Sequence, residues 1–567
     1  MKRIAYLICF AGILMQSCNE KSVSDNPLLT KFNTPFEVPP FDKIKDAHYL
    51  PAFHEGIKQQ QAEIEAIINN PEAPTFANTI EALEKSGQTL RQVSLIFSNL
   101  QQANTTDSLN AIAEEIAPQL SANTDAMYLN DKLFERVKTV FNSPEKDQLT
   151  TEQQMVLKHY YNSFVRGGAN LSPEKKERLK AINSELAVLS LKFGDNQLKE
   201  TNAYKLVIDN KKDLSGLPEG VVAAAADAAK EAGMEGKWVF TLHNPSIMPF
   251  LQYADNRDLR EQIYKAYINR GSNKNANNNW DNISKMVSLR AEKAHLLGFP
   301  DYASYVIDNN MAKTTDNVYK LCNQIWEAAL PNAKAEAAEL QKMINREGGK
   351  FKLAPWDWRY YSEKLKKEKY GLDQTEISQY FPLEKVREGA FYVANKLYGI
   401  TFTQLDNLPL PHPDAIAFEV KDADGSHIGI LYADYFPRAS KGSGAWMEAF
   451  RPQAGLLNST PVITNVCNFT KPTGDTPSLL TFDEACTLFH EFGHALHGLL
   501  SKCTYPSVAG TSVANDFVEL PSQIMENWAA APEVLKVYAR HWKTGEPMPQ
   551  ELIDKLQASS LFNQGFT

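Results

Sequence analysis

The stretch from Thr481 to Leu500 constrains this chain more than any other. Thr481 with Glu484 three residues later makes a capping-box pattern, so a helix should start there. Leu488, Phe492, Ala495, Leu496 and Leu499 recur at helical spacing, and no proline follows until Pro506. The helix therefore carries His490-Glu491-Phe492-Gly493-His494 in its interior. Residues four apart on a helix are offset by about 40° and lie one turn apart on one face. His490 and His494 can thus present two imidazoles to one divalent ion. Glu491 lies beside His490 and about 60° from His494 in projection, close enough to reach a metal-bound water without being a ligand. Zinc lowers the pKa of such a water toward about 7, and the carboxylate can take its proton as the water attacks a carbonyl. The same carboxylate can then pass a proton to a leaving amine.

A catalytic zinc needs a third protein ligand, usually His, Asp or Glu. His497, three residues after His494, is better placed to pack or hydrogen-bond nearby than to ligate. The next dense acidic stretch is Asn515 to Trp528. Pro521 complicates the helix start there, while the segment from Ser522 onward reads as helix. Were it all helical, Glu519 and Glu526 would share one face, being seven residues apart. Spacing alone chooses neither, and leaves Asp516 open as well. One carboxylate would ligate and another could orient a histidine from behind.

With 567 residues the chain can bury a large core and hold two or more lobes. Its formal net charge is −9 and no basic patch appears, which argues against a nucleic-acid partner. Lys2 and Arg3 precede a short apolar run from Ile4 to Met15, too short to span a bilayer, so residues 1–17 read as a signal peptide. Ser17-Cys18 suggests lipoprotein processing, with Cys18 lipidated and residues 18–30 forming a polar tether. The expected location is the bacterial cell envelope, lipid-anchored and facing the periplasm, or periplasmic if cleavage is that of a plain signal peptide. Cys322, Cys467, Cys486 and Cys503 show no C-x-x-C spacing, so free, buried thiols are expected in place of a disulfide framework.

Most of the remaining chain shows apolar residues at three- and four-residue spacing, for instance in residues 79–100, 172–199, 281–297 and 315–346. Strand signals are few. Ile416 to Val420 and Ile428 to Leu431 flank Asp422-Ala423-Asp424-Gly425 as a hairpin, and Pro461 to Phe469 is a second β-rich run. The expected fold is mainly α, with a small sheet near the metal motif, an N-terminal helical region over 31–237 and a catalytic region over 238–567.

The combination His490 to Gly498, then Asp516-Phe517-Val518-Glu519 and Pro521-Ser522-Gln523, resembles the thimet oligopeptidase and neurolysin family of zinc metallopeptidases, and within it the bacterial peptidyl-dipeptidase branch. Pro355-Trp356-Asp357-Trp358 and Gly444-Ala445-Trp446-Met447 extend the resemblance over nearly the whole chain after the tether. The resemblance implies a two-lobed zincin-type shell with a deep central channel and one Zn2+ on its floor. It makes Glu519 the third metal ligand and leaves Glu526 behind a histidine. It also implies that the substrates are short unstructured peptides; the chain itself is expected to be a monomer that meets the membrane only through the lipid on Cys18. In the peptidyl-dipeptidase branch dipeptides leave from the C-terminus; the thimet branch cuts internally. By fold analogy the run around Pro461 to Phe469 is expected to line the cleft and pair with substrate backbone. Family members continue past the third ligand into a histidine and several tyrosines in a glycine-rich loop that hold the oxyanion and substrate. No such cluster follows Glu519 before Thr567, so the catalytic region is expected to lack its C-terminal part. A catalytically weak peptide-binding lipoprotein is the alternative this raises.

Overall fold

The computed structural model describes residues 25–566. The expected signal peptide and Cys18 lie outside the described residues. The folded body starts within the span expected as tether: Asn26 caps a short turn over Pro27–Leu29, and Leu28 is completely buried.

Helices dominate, and the long ones follow the sequence periodicity: Pro173–Ala203, Trp280–Leu296 and Thr315–Arg346. The expected helix over 79–100 is in fact two. Its first part ends at Lys85, the chain turns at Ser86 and Gly87, and a new helix runs over Gln88–Ala103. Gly87 sits at φ +70°, a left-handed conformation open to glycine at little cost, and its missing side chain leaves room for Gln60. Among the described residues no helix is long and apolar enough to cross a membrane. The four described cysteines are free; Cys467 is buried, whereas Cys322 is exposed, against the expectation of a buried thiol there.

Two short strands, β1 (Leu206–Ile208) and β2 (Trp238–Phe240), pair antiparallel. A five-stranded sheet follows: β3 (Thr401–Leu405), β4 (Ile416–Lys421), β5 (His427–Asp434), β6 (Trp446–Arg451) and β7 (Val462–Val466). Its order is β3-β4-β5-β7-β6, with β5 and β7 parallel and every other pair antiparallel. The β4–β5 hairpin is the expected one, turning at Gly425 with φ +85°. β3, β6, β1 and β2 carried too little apolar alternation to stand out. The expectation for Pro461 to Phe469 needs correction. β7 is an interior strand, hydrogen-bonded on both sides, so its backbone has no edge left for a substrate; β6 is the edge strand on that side.

Alternation along the strands decides what each face of the sheet meets. Phe418, Val420, Leu431 and Ile463 point into a core shared with Leu488, Phe489, Phe492 and Leu496 of the motif helix. Ala417, Ile430, Tyr432 and Val462 point the other way, onto Tyr49, Phe53, Val93 and Phe97 of the N-terminal helices. The sheet is thus clasped from both sides, and this holds the motif helix at a fixed height above β5, β6 and β7. Burying a side chain such as Phe489 contributes roughly 1.5–3 kcal/mol.

Candidate metal centre

The motif helix spans Phe482–Leu499. Its capping box forms as its sequence requires: Glu484 N donates to Thr481 Oγ at 3.1 Å, and Thr481 N donates to the Glu484 carboxylate at 2.8 Å. A second helix, Glu519–Ala529, crosses it. Pro521 lies in the first turn of that helix, where a backbone N–H would lack an intrahelical partner anyway, so the helix begins two residues before the proline.

Gly493 sets how closely the two helices approach. A Cβ there would stand 2.6 Å from Ser522 Cα and 2.7 Å from Pro521 O. Backbone therefore meets backbone, and the acidic helix lies within reach of both imidazoles. Glu519 Oε2 is 3.2 Å from His490 Nε2 and 3.2 Å from His494 Nε2. One donor atom from each of the three residues falls within 4.8 Å of the others.

Two observations test whether this set fits a metal ion. Bonds of 2.0–2.1 Å at tetrahedral angles place neighbouring donors about 3.3–3.4 Å apart, close to the 3.2 Å from Glu519 Oε2 to each imidazole. The proton inventory points the same way. His490 Nδ1 lies 2.6 Å from Glu526 Oε1, and since a carboxylate only accepts, the ring donates its proton there. In the neutral ring, the form that binds a metal, His490 Nε2 is then a bare lone pair facing a carboxylate oxygen. Two acceptors at that distance repel unless a cation lies between them, so the donor set suits a divalent ion.

Burial lowers the basicity of His494, with Glu519 opposing and His490 adding to the shift, which favours the neutral imidazole a metal needs. Glu491 is 6% exposed and is not one of the three donors. Burial pushes its carboxyl up to about 7; His490 pulls it down in part and Glu519 pushes it further up. Asn465 of β7 donates to the Glu491 carbonyl oxygen at 2.8 Å, tying the motif helix to the sheet at the residue that matters most.

The remaining expected residues fall in different places. Glu526 hydrogen-bonds His490, as the shared helical face allowed. His497 stays outside the donor cluster, with its Nδ1 buried and without a hydrogen-bond partner. Asp516 is committed elsewhere: its two carboxylate oxygens accept from Met311 N at 2.8 Å and Ala312 N at 2.9 Å. Sequence reasoning assigned no role to Ser522, whose hydroxyl donates to Glu519 Oε2 at 2.9 Å, or to Asn465. The signals for Ser522 were its place three residues after Glu519 and its membership of the Pro521-Ser522-Gln523 motif.

A family model described as Peptidase family M3 matches residues 250–567, more than half of the chain. The chain belongs to peptidase family M3. As an M3 member it is a metallopeptidase, and its relatives cover nearly its whole length. The dipeptidyl carboxypeptidase of Salmonella typhimurium is 40% identical over 545 residues, 96% of this chain and 80% of the relative. Oligopeptidase A of Escherichia coli is 34% identical over 543 residues, 94% of this chain and 79% of the relative. The thimet-like oligopeptidase of Dictyostelium discoideum is 28% identical over 555 residues. In this M3 peptidase the mainly helical fold with its small sheet is the architecture expected from sequence.

Proposed function

We propose that this M3 metallopeptidase is a zinc peptidyl-dipeptidase that removes dipeptides from the C-terminus of short, unstructured peptides. The observation that carries the reading is Glu519 Oε2 at 3.2 Å from both motif imidazoles, with Glu491 beside them. His490, His494 and Glu519 would hold the ion. Zinc bound there supplies Lewis acidity, acidifying water and polarising the scissile carbonyl. Glu491 takes the proton from the attacking water on a carboxylate oxygen and delivers it to the nitrogen of the leaving peptide. A carboxyl held near neutrality can do both. Glu526 keeps the His490 Nδ1 proton in place, so that Nε2 stays available as a ligand. The outer edge of β6, next to the motif helix, suits an extended peptide backbone.

Identity of 40% to two dipeptidyl carboxypeptidases, against 34% to oligopeptidase A, favours dipeptide release over internal cutting. We place the enzyme in the bacterial envelope as a monomer, anchored through Cys18 and working on peptides in the periplasm; its net charge of −9 suits neither nucleic acid nor an anionic membrane surface. The test is a blocked pentapeptide incubated with the zinc-loaded protein. Release of its C-terminal dipeptide supports the proposal, internal cuts support the oligopeptidase reading, and binding without products defeats both. Glu491→Gln should abolish cleavage and leave zinc bound; retained cleavage would remove Glu491 from its role.

A further inference from the structure

Ser522 is completely buried, yet it lies against the most exposed member of the donor set, Glu519, whose side chain is 52% exposed. Its hydroxyl donates to Glu519 Oε2 at 2.9 Å, and it also lies 2.8 Å from the Glu519 carbonyl oxygen. The oxygen it touches is the one 3.2 Å from both His490 Nε2 and His494 Nε2. A half-exposed glutamate has several rotamers and two equivalent oxygens, so something must choose among them. Ser522 itself has little freedom, because its Cα lies against Gly493 at a distance that leaves no room for a Cβ.

We propose that Ser522 is a positioning residue that selects Glu519 Oε2 as the metal-facing oxygen and holds the carboxylate to single-oxygen attachment. The argument rests on the zinc reading above and deepens it. The single Ser522 proton is shared between the Glu519 carbonyl oxygen and Oε2, which occupies one lone pair of Oε2 and leaves another for the space it shares with the two imidazoles. Oε1 lacks this partner, so the two oxygens are not equivalent. Single-oxygen attachment keeps a coordination position free for water or a substrate carbonyl, as a catalytic site needs. A hydroxyl fixed by backbone contact to the motif helix therefore ties ligand geometry to helix packing. It also removes rotamer freedom from Glu519 before any ion arrives, so less order has to be created on binding.

The test uses Ser522→Ala, which removes the hydroxyl without adding volume, in the full chain. Zinc affinity is measured by competition with a chelator, using zinc alone as the probe. Loss of a partner that orients a ligand typically weakens metal binding about 10–100-fold, and about tenfold is expected here. The metal-free melting temperature should stay within a few degrees of wild type. The same substitution in a Glu519→Ala background should have no further effect on affinity, because Ser522 acts only through that carboxylate. The visible spectrum of the Co2+-loaded protein should change in Ser522→Ala as the carboxylate becomes free to attach through both oxygens. Wild-type zinc affinity in a folded Ser522→Ala protein, a loss that persists without Glu519, or an unchanged Co2+ spectrum would each overturn the proposal. Failure of the wild-type protein to bind zinc would instead strike the proposed function itself.

Discussion

Gly493→Ala is the substitution whose outcome the geometry fixes most tightly. By local propensity alone it should help, since alanine in a helix interior is worth about 1 kcal/mol over glycine. Tertiary contact reverses the sign. The new Cβ would lie 2.6 Å from Ser522 Cα, 2.7 Å from Pro521 O and 3.0 Å from Met525 Cγ. Two of these three are backbone atoms, so no side chain can rotate to relieve them. Restoring ordinary carbon contact requires the helices to part by about 0.8 Å at this point. Overpacking of this kind costs about 1–3 kcal/mol, so the net loss of stability is at most about 2 kcal/mol. The effect on metal binding is larger, because metal–ligand distances tolerate only about ±0.2 Å. Moving Glu519 away from His490 and His494 by several times that tolerance should weaken zinc binding by about 100-fold or more, roughly 2.7 kcal/mol or above. Chelator competition reads the affinity, and circular dichroism with thermal melting of the metal-free protein reads the fold. Gly493→Ala protein that binds zinc within about threefold of wild type would refute the claim that this backbone contact sets the ligand distance.

Two further outcomes follow from buried charge. Asp357 is fully buried and accepts from Arg257 at 2.8 Å and from Arg260 at 3.1 Å; Asp357→Ala leaves Arg260, itself buried, without its carboxylate and should cost about 3–5 kcal/mol in denaturant unfolding, whereas a loss below 1 kcal/mol would show that the pair contributes little. Burial pushes the Glu484 carboxyl up to about 7 from an ordinary 4.5, while its hydrogen bonds to Thr481 pull the other way. The folded state therefore holds this proton more tightly than the unfolded chain between those pH values. The resulting stability is fully present below about pH 4.5 and is lost as pH rises through 7, by at most about 3 kcal/mol since the side chain keeps some solvent contact. Glu484→Gln should flatten that decline in melting temperature, and an unchanged pH slope in the variant would remove Glu484 as its source.

The motif helix was legible because every distance that defines it is short-range. Thr481 and Glu484 cap it within one turn, and helical periodicity alone brings His490 and His494 to one face. Which carboxylate faces both imidazoles was not legible from spacing, and the structure shows the physical reason. Glu519 and Glu526 do share a face, and both are used, one facing His490 Nε2 and the other His490 Nδ1. Which does which depends on where the second helix crosses the first. Asp516 looked equivalent on the page, yet it is taken up by backbone amides about two hundred residues away, at Met311 and Ala312. The same limit explains β7. Its apolar run announced a strand, but the place of β7 between β5 and β6 comes from pairing partners that no local pattern names. The break at Gly87 was hidden because residues on both sides of it keep helical spacing. The crossing point itself is written in the sequence only as something missing. Gly493 sits between the two histidines, where any side chain would hold the acidic helix away. Periodicity arguments count the side chains that are present, so they register Gly493 as a weak helix former. Its contribution is a distance, and that distance brings Glu519 to the imidazoles with Ser522 behind it.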